Sequence, residues 1–372
     1  MVARLGGDEF AAILPIRRGA DDAVRAARLI SKIISEPIAL DDGFVEVGAT
    51  IGIALFPQDG ADPAALLRAA DLAMYEAKTE ARGTIRFFKS TMHDQVQDRA
   101  LLDADLRRAI SEGEIRPHYQ PLVSLDGGDL VGFEILARWH HPERGIIMPD
   151  VFIPAADERG LLSELTYRLL RRACLDARRW PAHLRLSLNL APSQLRDPAL
   201  GPRILAILTE TGMSPARVEI EVTENALIGD LDASKAVLTS LQNLGMTIAL
   251  DDFGTGYSSL YHLQELKFDK IKIDKSFVRA LEAGEENGKI VRAMIGLAKS
   301  LGISVTAEGI ETGEQWSYLS QWGCDYGQGY LFGKAMSADD ALTMIRSPKR
   351  PGATRFAPDG QKYLVEPILR RA

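Results

Sequence analysis

The spacing of apolar positions changes along this chain, and each change predicts an element. Near the start, LGGDEF is followed by apolar Phe10, Ala11, Ile13 and Leu14, which predicts a hairpin with Gly6 and Gly7 in its turn. A helix is expected over Asp21–Ile34, and a strand pair over Phe44–Phe56 around GATIGIALFP. Asp62 and Pro63 open a second helix that runs through LLRAADLAMYEAKTEARG, and Ile85–Phe88 reads as a short last strand. Residues 1–90 therefore form a partial α/β domain, small for one whose first element is already a hairpin. Val96, Leu101, Leu102, Leu106 and Ile110 then recur at helical spacing, so 91–110 is expected to be a linker helix with a solvated charged face.

From residue 115 strands and helices alternate. Strands are expected at Arg116–Leu125, Leu130–Arg138, Arg185–Leu190, Arg217–Thr223, Thr247–Leu250, Phe268–Ile273, Ile303–Ala307 and Gly329–Phe332. Helices are expected at Leu161–Trp180, Arg203–Thr211, Leu231–Leu244, Lys289–Leu301 and Thr312–Trp322. Strand-then-helix units build parallel sheets, and their number suits a TIM-like (β/α)8 barrel over 111–348. An open doubly wound sheet is the structural alternative, although no Gly-x-Gly-x-x-Gly loop follows an early strand. Residues 349–372, with their prolines and basic end, read as a mobile C-terminal extension.

Composition narrows the function classes. The 372-residue chain is 46% hydrophobic and 26% charged, as soluble globular proteins are, and its net charge of -7 argues against a nonspecific DNA- or RNA-coating role. A small anionic substrate stays possible, because a bound metal inverts the local field. Cys174 and Cys324 make no disulfide framework and point to a reducing, cytoplasmic setting. No signal peptide or membrane segment is read in this chain.

The chemistry is concentrated at strand ends. TIALDDFGTG stops a strand on Asp251 and Asp252, a pair that is either a solvated acidic turn or a cation site. Glu134, Asn189, Glu221, Glu224, Lys272, Asp274, Glu308 and Gln328 lie in or just past other strands. In a barrel such ends converge on one mouth. Clustering five carboxylates and an asparagine from five strands without a cation would cost several kcal/mol. Oxygen donors of this kind suit magnesium or manganese, and the six histidines are dispersed, with His140 and His141 expected in a loop. The residues alone point to metal-dependent chemistry on an anionic substrate.

RLGGDEFAAILP, TIGIALFPQDG and ADLAMYEAKTEARG resemble the second half of a GGDEF (diguanylate cyclase) domain, in family order. The resemblance implies that Gly6 and Gly7 lie against nucleotide and that Asp8 or Glu9 helps hold metal. The family's upstream metal-binding aspartate and its base-binding and product-binding segments do not occur in these residues, so no cyclase activity is expected of this polypeptide.

HYQPLVSL, GFEILARW, SLNLAPSQL, VEIEVTE, ALDDFGTGYSSL, FDKIKIDKSFV, VTAEGIET and DYGQGYLFGKAM resemble an EAL domain, the cyclic di-GMP phosphodiesterase family, over about Leu106–Arg346. The resemblance implies a barrel, two magnesium or manganese ions per active site, and hydrolysis of cyclic di-GMP to linear pGpG. By the same resemblance Glu134, Asn189, Glu221 and Asp251 hold one metal, and Asp251, Asp252 and Glu308 serve the second. Glu134, Lys272, Asp252 and Glu308 form the catalytic set, with Lys272 steadying the attacking water. Gln120, Leu136, Arg138 and Gln328 meet substrate, Glu224 braces the DDFGTGYSS loop, and Asp274 lies beside the metal-binding groups. A homodimer through the EAL domain is implied as well. The usual Glu-Ala-Leu is here Glu134-Ile135-Leu136, with Ile135 expected on the packed side of its strand. A binding module that holds cyclic di-GMP without cutting it is the alternative.

Overall fold

The computed structural model describes the chain except residues 17–18, 41–42, 46, 81–82, 91, 93–104, 228–230, 256–262, 264, 282–284, 348–353, 357–361 and 365–372. The chain divides into two compact units, Met1–Asp105 and Leu106–Ala372.

In the first unit, β1 (Val2–Gly6) and β2 (Glu9–Ala12) form the expected antiparallel hairpin, with Gly7 at φ 52° in its turn. A helix spans Ala20–Ile34. The expected strand pair over 44–56 is not one. β3 (Ile38–Leu40) pairs antiparallel with β4 (Gly43–Val45), whereas β5 (Ile51–Ile53) pairs parallel with β6 (Ile85–Phe87). The helix Pro63–Glu80 makes that parallel crossover possible, because it returns the chain across the sheet. Ala69, Ala73 and Ala77 form its buried stripe. Small residues are needed there, since a Cβ on Gly52 of β5 would lie 2.0 Å from the Ala70 carbonyl oxygen.

The second unit is a closed eight-stranded barrel. Its strands are β7 (Ile115–Ser124), β8 (Leu130–His141), β10 (Arg185–Leu190), β11 (Val218–Thr223), β12 (Thr247–Phe253), β13 (Lys270–Ile273), β14 (Ser304–Ala307) and β15 (Tyr326–Gln328). β9 (Gly145–Ile147) extends the sheet beyond β8, and parallel pairing of β8 with β10 closes the ring. Strand alternation alone does not reveal that β7 runs antiparallel to both its neighbours, β8 and β15. The short Ser124–Leu130 connection explains the first of these pairings, because only a hairpin can be made in so few residues.

Two other expectations are corrected. The last strand is Tyr326–Gln328, and 329–332 is a turn in which Phe332 N–H donates to the Gly329 carbonyl at 3.1 Å. The apolar Tyr-Leu-Phe run imitates a strand because Phe332 is buried in the core. His140 and His141 belong to β8 and not to a loop: His141 is buried beside Trp139, and His140 Nε2 lies 3.1 Å from His118 Nε2 on β7. Of the expected linker helix, 105–110 is helical and continues to 112, while 91 and 93–104 lie outside the described residues. In the C-terminal extension, Thr354–Phe356 pairs with Lys362–Leu364.

Helices Leu162–Ala177, Leu200–Thr211, Leu231–Asn243, Glu285–Ser300 and Gly313–Gln321 surround the barrel. Its apolar core lies between strands and helices: Ile220 and Val222 of β11, Ile248 and Leu250 of β12, and Ile271 and Ile273 of β13 pack outward against residues such as Ile204, Leu241 and Val291. The period of two therefore turns Glu219, Glu221, Lys270 and Lys272 into the barrel. No helix among the described residues is long and apolar enough to cross a membrane.

Closure between β8 and β10 leaves no room for a side chain at Gly132, where a Cβ would sit 2.5 Å from the Arg185 carbonyl oxygen. Gly132→Ala is expected to destabilise the barrel by about 1–3 kcal/mol through overpacking, seen as a lower denaturation midpoint in urea.

Candidate active site

Strand register brings the polar strand ends together. Asn189 pairs with Glu221 across the parallel β10 and β11, Lys272 with Thr306 across the parallel β13 and β14, and Gln120 with Glu134 across the antiparallel β7 and β8. Lys272 is 2% exposed and stands at the centre of the group. Its Nζ lies 2.7 Å from Glu221, 3.2 Å from Asp251, 2.6 Å from Glu308 and 4.0 Å from Glu134. Glu134 in turn accepts from Asn189 Nδ2 at 2.6 Å and from Gln328 Nε2 at 2.5 Å, and Gln328 also donates to Gln120 Oε1 at 3.1 Å. These eight residues form one connected network across seven strands and the Glu308 strand end.

The adjacent aspartates have a geometric explanation. β12 and β13 pair Leu250 with Ile271 and then Phe253 with Ile273, so Asp251 and Asp252 together stand opposite Lys272 alone. This is a bulge, which lets neighbouring side chains depart from strict alternation. Asp252 adopts φ 54°, the only non-glycine with positive φ among the described residues. Aspartate tolerates this left-handed conformation better than most residues, and strain of this kind concentrates at functional sites. The Asp252 N–H donates to Asp251 Oδ1 at 2.9 Å, fixing the first carboxylate.

The electrostatics are unbalanced. Burial alone would lower the Lys272 pKa, but Asp251, Glu134, Glu221 and Glu308 outweigh it and hold the ammonium well above the usual lysine range. Burial, reinforced by Asp251 and Glu134, pushes Glu308 up to about 8 despite Lys272. Glu221 is raised well above the carboxylate range, first by burial and then by Glu134, Asp251 and Glu219. Asp252 is raised by burial, Asp251 and Asp274. One ammonium thus leaves several carboxylates short of positive charge.

The remaining expected residues take different places. Leu136 and Arg138 continue the Glu134 face of β8, half-buried, with Arg138 influenced by Glu134, Asp150 and Tyr330. Asp274 makes no hydrogen bond within the network but acts electrostatically on Asp252, and it caps the helix Lys275–Ala280, accepting from the Ser276 N–H at 2.9 Å. Glu224 is buried in the short helix Glu224–Leu227 that follows β11, and residues 256–259 of the DDFGTGYSS loop it is expected to brace lie outside the described residues. Ile135 packs in the outer core, one residue away from the Glu134 face. Sequence reasoning passed over Tyr330 and Lys334, whose ammonium lies 4.9 Å from the Tyr330 ring near Arg138. It also passed over Lys270, which the DKIKID run displays but whose partner only the fold reveals.

Among the described residues no three acidic, histidine or cysteine side chains already converge as a coordination sphere; the carboxylates are folded onto Lys272. The donor set nonetheless fits a hard divalent cation. It consists of oxygen donors without thiolate or imidazole, and its excess negative charge is what such an ion would neutralise.

A barrel of this type with an acidic mouth defines a class in which chemistry is done at the strand ends. The family model of the EAL domain matches residues 103–335, and that described as diguanylate cyclase, GGDEF domain, matches residues 1–84. The chain belongs to the EAL family, with GGDEF-domain sequence preceding the barrel. It is 46% identical over 354 residues to an uncharacterized signaling protein of Caulobacter vibrioides, covering 94% of this chain and 43% of that one. It is 37% identical over 348 residues to the bifunctional diguanylate cyclase/cyclic di-GMP phosphodiesterase MucR of Pseudomonas aeruginosa, covering 92% of this chain and 51% of that one. The solved structure of the PaMucR phosphodiesterase in complex with c-di-GMP superposes with a TM-score of 0.62 at 36% identity, covering 65% of this chain and 99% of that one. The chain spans about half the length of these curated relatives.

Replacing Lys272 tests the charge imbalance. Lys272→Met removes the one buried ammonium facing four carboxylates, and loss of a buried partner costs about 3–5 kcal/mol. In EDTA the variant is expected to melt well below the parent protein, and manganese is expected to raise its melting temperature more than the parent's.

Proposed function

We propose that this chain is a cyclic di-GMP phosphodiesterase that hydrolyses its substrate to linear pGpG with two magnesium or manganese ions. The observation that carries this reading is the convergence of Glu134, Glu221, Asp251 and Glu308 on one buried lysine at the barrel mouth, with Asn189 bound to Glu134. The likeness to a phosphodiesterase whose structure was solved in complex with c-di-GMP supports the substrate.

In this reading Glu134, Asn189, Glu221, Asp251, Asp252 and Glu308 hold the metals. When bound, such ions supply a hydroxide at neutral pH and neutralise charge on a phosphoryl group under attack. The chain's own residues do the rest. The amides of Asn189 and Gln328 fix the Glu134 carboxylate through two hydrogen bonds, so that it needs little reorganisation. Lys272, held protonated by its carboxylates, donates to and orients the attacking water and does not act as a proton acceptor. Arg138 lies farther along the Glu134 face of β8, where its guanidinium can hold a substrate phosphate in bidentate fashion. Gln120 is tied to Gln328 and positions the nucleotide-facing side of β7. Asp252 adds a carboxylate that only the bulge brings to the mouth. Glu224 braces the DDFGTGYSS loop.

The deciding experiment is incubation with cyclic di-GMP and magnesium, manganese or EDTA, followed by chromatography of the nucleotides. Formation of pGpG that EDTA stops is expected; intact cyclic di-GMP in saturating manganese would refute hydrolysis and leave a receptor. Glu134→Ala should lower turnover by at least about 100-fold while circular dichroism shows an unchanged fold.

A further inference from the structure

Beneath the mouth lies a second buried ion pair that the proposed reaction does not use. Lys270 Nζ is 2.6 Å from Glu219, and the two residues are 3% and 1% exposed. Glu219 also accepts from Ser187 Oγ at 3.1 Å, and the Lys270 ammonium lies 4.6 Å from the centre of the Tyr326 ring. Lys270 and Lys272 share one face of β13, and Glu219 and Glu221 share one face of β11, each pair two residues apart. The barrel therefore carries two stacked lysine–carboxylate rungs, Lys270–Glu219 below and Lys272–Glu221 above.

The rungs differ in charge. The lower one is balanced, one cation to one carboxylate. The upper one sets one cation against Glu134, Glu221, Asp251 and Glu308. Without Lys270, Glu219 would be a buried carboxylate supported by a serine hydroxyl alone, a costly state that draws in any available cation. The neighbouring cation on the same strand face is Lys272, on a flexible four-carbon stem. Divalent ions held by the upper carboxylates would weaken their hold on Lys272 and sharpen this competition.

We propose that Lys270 is a positioning residue: by occupying Glu219 it keeps Lys272 at the mouth, in contact with Glu221, Asp251 and Glu308. The activity readout rests on the phosphodiesterase reading; the structural readout does not.

The test compares the full-length parent, Lys270→Met and the double variant Glu219→Gln/Lys270→Met. Lys270→Met is expected to lower kcat for cyclic di-GMP by about 100-fold with KM changed less than about 2-fold, as for loss of a group that acts in the transition state. The double variant removes the competing carboxylate and is expected to recover kcat to within about 3-fold of the parent. A crystal structure of Lys270→Met is expected to show Lys272 Nζ turned down onto Glu219. A purely structural pair would instead leave kcat of the folded Lys270→Met protein within about 2-fold of the parent while its melting temperature falls. That result, or a double variant that stays as impaired as the single one, overturns the proposal. Should Lys270→Met fail to fold, kcat of the double variant decides alone: a loss beyond about 10-fold refutes the competition. Should the parent not hydrolyse cyclic di-GMP, the phosphodiesterase reading fails, and the crystal structure of whichever single variant folds, Lys270→Met or Lys270→Gln, still decides, with Lys272 unmoved overturning the inference.

Discussion

The constraint on which the barrel depends is one buried ammonium facing an excess of carboxylates. Lys272 is in contact with Glu221, Asp251 and Glu308 and stands at the edge of contact with Glu134. Taking that many charges out of water is penalised by several kcal/mol per ion, and a single cation does not offset it. The raised pKa values of Glu221 and Glu308 are the signature of this deficit. A fold maximised for stability would not keep it. The deficit makes sense in a site shaped for additional positive charge.

The surrounding structure absorbs the consequences. The apolar core sits outside the sheet, between strands and helices, so stability does not require an apolar barrel interior. Parallel registers are shared along several strands, which gathers side chains far apart in sequence at one end. The bulge in β12 and the left-handed Asp252 put two consecutive carboxylates where an unbroken strand would offer one. Glu134 is held between two amides that come from the two flanks of β8, and this fixes its orientation before any ligand arrives. Beneath these groups, Glu219 and Lys270 form a self-contained pair, which separates the charge deficit at the mouth from the barrel floor.

Much of this was legible in the residues. The alternation of IEVT and IKID announces one apolar and one charged face, and the charged faces do point inward. Strand positions agree closely where β-branched residues alternate after turn residues, as at Val218–Thr223. Reading failed where local pattern and tertiary context disagree. Gly329–Phe332 is apolar because Phe332 plugs the core, not because it is a strand. Gly43–Val45 and Ile51–Ile53 look like partners because they are neighbours in sequence, yet each pairs elsewhere.

By itself, the sequence determined the period of each element, the face each charge occupies and the inventory of oxygen donors, because these follow from local backbone geometry and side-chain chemistry. Only the tertiary structure decided which charge meets which. Whether Lys272 faces one carboxylate or four, whether Lys270 is spoken for by Glu219, and whether Asp251 and Asp252 share a mouth all depend on strand register, ring closure and a bulge. Those are set by packing over the whole barrel, and no window of consecutive residues contains them.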